Sequence, residues 1–346
     1  MSDDIFSQLF NLFNNNDEEI NWKLAEQISN HINKDFNEIN ILSNGQLSYE
    51  EIFRVAQANI NTGFNTTDDI ANTQLLDSKS YGIWFLNSIR HFNFSDMSIS
   101  GTNSFNLGGA QSSLIGMQLG NIAGFLSKNT WGLSHFGIIL PNSKKLALNK
   151  SNFEERISLF DIDEKESTLA LLSLEYIALS LGKYDAPFAH IVQQMKKSNQ
   201  ELIENFNDLS QDIDPSSLNN PNEIFGNLPE INNLNFDSIF DAIFAPLSFY
   251  RNAIKHFAKN FIEFIDPSVF DLVMDLSFKT SRAEINDFEL KISNFDQYSM
   301  GFIDYLADTD NQFGILDILN SIELIPSSKE LEDPISWAAR TSLPPI

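Results

Sequence analysis

The chain has 346 residues, 42% of them hydrophobic, which is enough apolar material to bury a large core in one to three domains. Asp and Glu outnumber Lys and Arg 47 to 22, a formal net charge of −25 that repels phosphate backbones and anionic headgroups, so nucleic acid and membrane surfaces are set aside as partners. There is no cysteine, which excludes disulfides, thiolate metal sites and cysteine nucleophiles.

The N-terminus, Met1-Ser2-Asp3-Asp4-Ile5, is acidic and lacks the basic region of a secretory signal, so the cytoplasm is the expected address. Ile5, Phe6, Leu9, Phe10, Leu12 and Phe13 fall on one face of a short amphipathic helix. Asn14-Asn15-Asn16-Asp17 is expected to end it and to cap a second helix from Glu18 to His31, on which Ile20, Leu24, Ile28 and Ile32 recur every four residues. A third helix is predicted from Ser48, where Ser48 and Glu51 have capping-box spacing. A fourth lies within Thr66 to Phe94, with Ile83, Trp84, Leu86 and Ile89 as its core face. Residues 95–108, rich in Ser, Gly and Asn, read as a loop.

Gly116, Gly120 and Gly124 then sit on one face of a helical run from Ser112 to Leu126. Glycine inside a helix costs roughly 1 kcal/mol relative to alanine, so three in register predict a seam where a second helix comes close. Trp131 to Pro141 is apolar and Gly-punctuated, a candidate strand or hairpin with Lys144 to Asn149. The helix expected from Asp161 to Gly182 contains an apolar stretch, Thr168 to Gly182, with Glu175 at its middle. A membrane span needs ~20 apolar residues, so this shorter stretch reads as a buried core helix.

Helix resumes over Asp185 to Lys197 after a break at Pro187, and Asn207 to Asn235 reads as a long connector. Helical periodicity returns from Phe236 to Phe264, weaker helices run to about Ser321, and the tail from Ile325 to Pro345 is expected to be extended except for a turn near Trp337. The abundance of Phe, Asn, Ile and Lys is read as genome composition, because the hydrophobic positions stay periodic. No repeat of 20 to 50 residues suggests a solenoid. The expected class is mainly α with a possible small β element. It is organised as an N-terminal part (1–205), a connector (206–235) and a C-terminal helical part (236–346) packed on the same fold.

Local chemistry is sparse. His31, His91, His135, His190 and His256 form no H-x-H or H-E-x-x-H motif. There is no G-x-S-x-G elbow and no Walker loop. Asn106-Leu107-Gly108-Gly109-Ala110 before a helix is at best a weak anion cradle, and a plain Gly-Gly turn accounts for it. Asp161-Ile162-Asp163-Glu164 lacks the glycine and bidentate glutamate of a calcium loop, and acidic residues at a helix start explain it. Glu175, between Leu171 and Leu179 on a helix apolar nearly all round, is the exception. A carboxylate there faces a polar partner or sits at the edge of the core, and from the residues alone the edge is the simpler reading.

Four phrases stand out in order along the chain. Ile20-Asn21-Trp22-Lys23-Leu24-Ala25 is similar to V-N/D-W-x-L-A. Gly116-Met117-Gln118-Leu119-Gly120 resembles G-M-Q-V-G, and Phe288-Glu289-Leu290-Lys291 resembles G-L-E-L-R. The stretch from Pro326 to Trp337 resembles L-P-T-x-x-D-L-x-D-P-x-x-W/F. Together they resemble the entry, helix, segment and ending of a zincin-like hydrolase family, largely actinobacterial and often labelled zinc-dependent metalloprotease, with one branch labelled as associated with deazaflavin-cofactor biosynthesis.

The resemblance implies a zincin-like helical scaffold whose active helix, within 161–182, carries H-E-x-x-H where intact, two histidines binding zinc and the glutamate activating water. Here Leu174-Glu175-Tyr176-Ile177-Ala178 occupies that place: the glutamate survives and both histidines are replaced. Zinc, the cofactor of intact members, is therefore not expected. Two readings follow. One is a pseudoenzyme that binds a peptide, protein or small ligand. The other is a working hydrolase at a non-standard site, with Glu175 and His190 as its candidate residues.

Overall fold

A computed structural model describes residues 20–34, 43–66, 72–92, 108–141, 143–158, 163–197, 236–275, 287–308 and 312–342. The expected helix at 5–13, its Asn14–Asp17 cap, the loop before Gly108 and the connector at 207–235 lie outside these residues.

Helix α1 spans Trp22–Ile32 and is capped by Asn21, whose side-chain oxygen accepts the Leu24 amide at 3.0 Å. Helix α2 covers Ser43–Phe64, so Ser48 lies inside it rather than at its cap. Strand β1 (Asn72–Leu76) precedes α3 (Ser78–Ile89), and Trp84, Leu86 and Ile89 are buried as the apolar spacing predicts. Helix α4 runs Gly108–Asn129, longer at both ends than the expected 112–126.

Gly116, Gly120 and Gly124 of α4 form the predicted seam. A Cβ at Gly120 would stand 2.7 Å from the Ala25 carbonyl oxygen, one at Gly116 would collide with the Asn21 carbonyl, and one at Gly124 with the Ile32 side chain. Helix α1 thus lies directly on the glycine face of α4 and is pinned at both ends. The Asn21 amide donates to the Ser112 carbonyl at 2.9 Å, and the Asn33 side-chain amide donates to the Ser127 hydroxyl at 2.6 Å.

Strand β2 (Lys145–Asn149) pairs in parallel with β1, Asn72 opposite Lys145 and Leu76 opposite Asn149. This corrects the expected hairpin between 131–141 and 144–149. Residues 131–140 form an irregular loop around a 3₁₀ turn, Ser134–Phe136, because their amides are engaged elsewhere. Helix α5 (Lys150–Ile157) follows β2, and α6 (Glu164–Leu181) comes next. Helix α7 covers 186–197, with Pro187 in its first turn, where a missing N–H costs nothing, so it opens this helix rather than breaking one.

The C-terminal half contributes α8 (Phe236–Phe261), α9 (Pro267–Val273), α10 (Asp287–Asp308) and α11 (Ile315–Leu319). The tail is not extended. It forms α12 (Ser328–Glu332) and α13 (Pro334–Ser342) around the buried Trp337, whose indole N–H donates to the Leu324 carbonyl at 2.8 Å.

Helix α6 is central: α2 lies on one side and α8 and α9 on another. A single buried apolar cluster runs from Ile20 to Trp337 and joins both halves. Among the described residues the fold is mainly α with one two-stranded parallel sheet. Among the described residues no helix is long and apolar enough to cross a membrane.

Candidate functional site

Helix α6 starts where Asp163 caps it, its side chain accepting the Lys165 and Glu166 amides at 2.9 and 3.0 Å. This is the helix-start role expected for the acidic cluster at 161–164. From Ala170 to Leu179 every residue is buried, so the middle of α6 touches protein on all sides. Glu175, 1% exposed, lies within that stretch and not at the edge of the core.

Its carboxylate is paired. Oε2 accepts the Leu133 amide at 2.8 Å, while Oε1 accepts the Ser134 amide at 2.9 Å and, in a short contact, the Ser134 hydroxyl. Two successive backbone N–H groups converge on one anion, the arrangement that makes turn backbones into anion cradles. Gly132 makes room for it, since a Cβ there would overlap the Glu175 carboxylate. Gly137 closes the turn with φ 64°, a left-handed conformation that glycine adopts at no steric cost.

The rest of the loop is tied on three sides. The Asn149 amide donates to the Trp131 carbonyl at 2.9 Å, and the Asn152 side chain donates to the Thr130 carbonyl at 2.8 Å. His135 stacks on Trp131 with ring centroids 3.8 Å apart, and its Nε2 lies 2.9 Å from the Asp275 carbonyl. Arg251 Nε donates to the His135 carbonyl at 2.8 Å, and the same guanidinium pairs with Asp296.

Burial is the largest influence on Glu175 and pushes its pKa up from 4.5 to about 7. The Ser134 and Leu133 hydrogen bonds pull the other way without cancelling it. Two tyrosines share this interior. Tyr250 donates to the Ala178 carbonyl at 2.5 Å, and Tyr81 has no hydrogen-bond partner among the described residues. Burial first, and the Glu175 charge second, raise both phenols above their ordinary range.

The residues do not fit a zinc ion. Leu174 and Ala178, where the resemblance would put zinc-binding histidines, are buried hydrocarbon, and both Glu175 oxygens are taken by loop donors. Among the described residues no cluster of three His, Cys, Asp or Glu is placed to hold a metal.

The histidines are dispersed. His31 and His91 are exposed, and His135 is part of the loop. His256 is half-buried beside Asn260, and burial lowers its pKa. His190, also lowered by burial, lines a groove with Gln193, Asp241, Pro246 and Glu323, and it shares no hydrogen bond with Glu175. Gly108, Gly109 and Ala110 form the first turn of α4. Sequence reasoning missed Gly132, Leu133 and Ser134. The Gly punctuation at 132 and 137 was their signal, but it does not show which side chain the loop receives.

No protein-family model and no curated protein matches the chain. A solved structure from Chloroflexus aurantiacus, described as "a putative hydrolase with a novel fold", matches across 94% of this chain and 100% of its own, with a TM-score of 0.54 and 16% identity. At that identity the likeness shows a shared fold.

Proposed function

We propose that this chain is a hydrolase-like scaffold that has given up zinc chemistry and serves as a non-catalytic binding protein of the cytoplasm. The observation that carries this reading is the use made of Glu175: both oxygens are consumed by Leu133 and Ser134, in a site closed to solvent. A pKa near 7 would suit a general base, and shifted carboxylates do cluster at active sites. The hydrogen-bond geometry argues against that role. A base must lie within hydrogen-bond reach of the proton it takes, and here the surrounding protein fills that space. Glu175 instead joins α6 to the 130–137 loop.

The structural neighbour's description as "a putative hydrolase" supports a hydrolase-like scaffold, and leucine and alanine at positions 174 and 178 support the loss of the metal. Elemental analysis of dialysed protein, together with a fluorogenic casein assay, tests the proposal. The expected result is far less than one zinc per chain and no cleavage above buffer. Stoichiometric zinc, or cleavage abolished by Glu175→Gln in a folded protein, overturns it.

A further inference from the structure

Away from Glu175, a groove of about 940 Å³ runs along α3. One wall is a continuous helix face, Lys79, Ile83, Trp84 and Asn87, extended by His91. Gln74 and Leu76 of β1, with Pro141, Ser143, Lys144 and Lys145, also line the groove. From Lys79 to the end of α3 at Ile89 the helix face is about 15 Å long at 1.5 Å per helical residue. Extended chain rises about 3.3 Å per residue, so four or five residues of an extended peptide would lie along it.

Its charge is the reverse of the molecule's. The chain carries 47 acidic and 22 basic residues, yet among the described residues the groove lining holds three lysines and one acid. That acid, Asp77, caps α3, its side chain accepting the Ser80 amide at 2.7 Å, so part of its acceptor capacity is already used. Lys79, Lys144 and Lys145 are all exposed. Between them Gln74, Ser80, Asn87 and Ser88 supply donors and acceptors, and Ile83 and Trp84 supply apolar wall. Trp84 lines the groove and is 8% exposed, and its buried indole N–H has no acceptor among the described residues.

We propose that this groove binds an extended acidic peptide segment of a partner protein, with its carboxylates on Lys144 and Lys145 and its backbone along α3. This deepens the binding-scaffold reading and rests on it. The acidic surface outside the groove repels such a peptide, so the lysines concentrate it at one place, and the interaction weakens as salt rises.

The test is fluorescence anisotropy at low ionic strength with a fluorescein-labelled hexaglutamate peptide. The controls are a hexaglutamine peptide and competition by inorganic phosphate. Saturable hexaglutamate binding is expected, with none to hexaglutamine, and Lys144→Glu/Lys145→Glu should weaken it at least tenfold while circular dichroism stays unchanged. Equal affinity in that variant, or no saturable binding by folded wild type, overturns the proposal. So does full competition by phosphate at the peptide's own concentration, which marks a small-anion pocket, or wild-type dimerisation lost in the variant, which marks a second copy as the occupant. Zinc content and casein cleavage are unaffected by these lysines, so failure of the groove and failure of the non-catalytic reading are separately visible.

Discussion

The backbone amide and the hydroxyl of Ser134 both donate to Oε1 of Glu175, across 41 positions of sequence and in the centre of the protein. A carboxylate so placed is a structural joint between helix and loop, and its removal strands donors instead of relieving a charge.

Glu175→Leu should therefore be less stable than wild type by ~1–3 kcal/mol, the usual cost of leaving buried donors unmatched. Urea denaturation at pH 5, 6.5 and 8 checks this. A leucine variant more stable than wild type at all three values would mean that the buried charge, not the lost donors, dominates.

Titration of Glu175 has a defined sign. Its pKa is about 7 when folded against an ordinary 4.5, so the folded state holds the proton more tightly. The resulting stabilisation is complete below about 4.5 and is lost as pH rises through about 7. Glu175→Gln cannot titrate. The unfolding free energy of wild type minus that of Glu175→Gln should fall between pH 5 and 8 and flatten above. A difference constant over that window would show that Glu175 is already ionised at pH 5.

Gly132→Ala places a methyl group where the carboxylate lies, with too little room for both. It should destabilise by a typical overpacking cost of ~1–3 kcal/mol. Combined with Glu175→Ala, which vacates that space, the alanine should cost markedly less, because contacting residues couple in a double-mutant cycle. Strict additivity would show that the two groups do not meet.

The α1–α4 seam offers a fourth measurement. On an exposed helix face Gly120→Ala would stabilise by roughly 1 kcal/mol. Here the new Cβ would stand 2.7 Å from the Ala25 carbonyl and 2.9 Å from the Ile28 Cβ, so the melting temperature should drop. A higher melting temperature would mean that α1 shifts freely along α4.

Some of this architecture is plain in the residues. Helix α6 is legible because Asp163 caps a run apolar all round, and the seam is legible because three in-register glycines in a helix need a packing reason. Strand β1 is not, since Asn72–Leu76 has only five residues and its partner lies beyond both α3 and α4. The helical tail did carry a local sign. Ser327 and Glu330 have capping-box spacing, and the Ser327 amide and hydroxyl each lie 2.9 Å from Glu330 Oε2. The 130–137 loop lacked such a sign, because its conformation is set by Glu175, Asn152 and Arg251, all distant in sequence.

The parallel pairing of β1 with β2 also bears on the order in which the chain assembles. Parallel strands cannot be joined by a tight turn, and this pair is separated by the whole of α3 and α4, so zipping Asn72–Leu76 against Lys145–Asn149 requires closing a long loop. The α1–α4 seam is a second long-range closure, joining Trp22–Ile32, before β1, to Gly108–Asn129, between the strands. Such non-local closures slow folding, so α3 and α4 should gain protection from solvent exchange before the strand amides do during refolding.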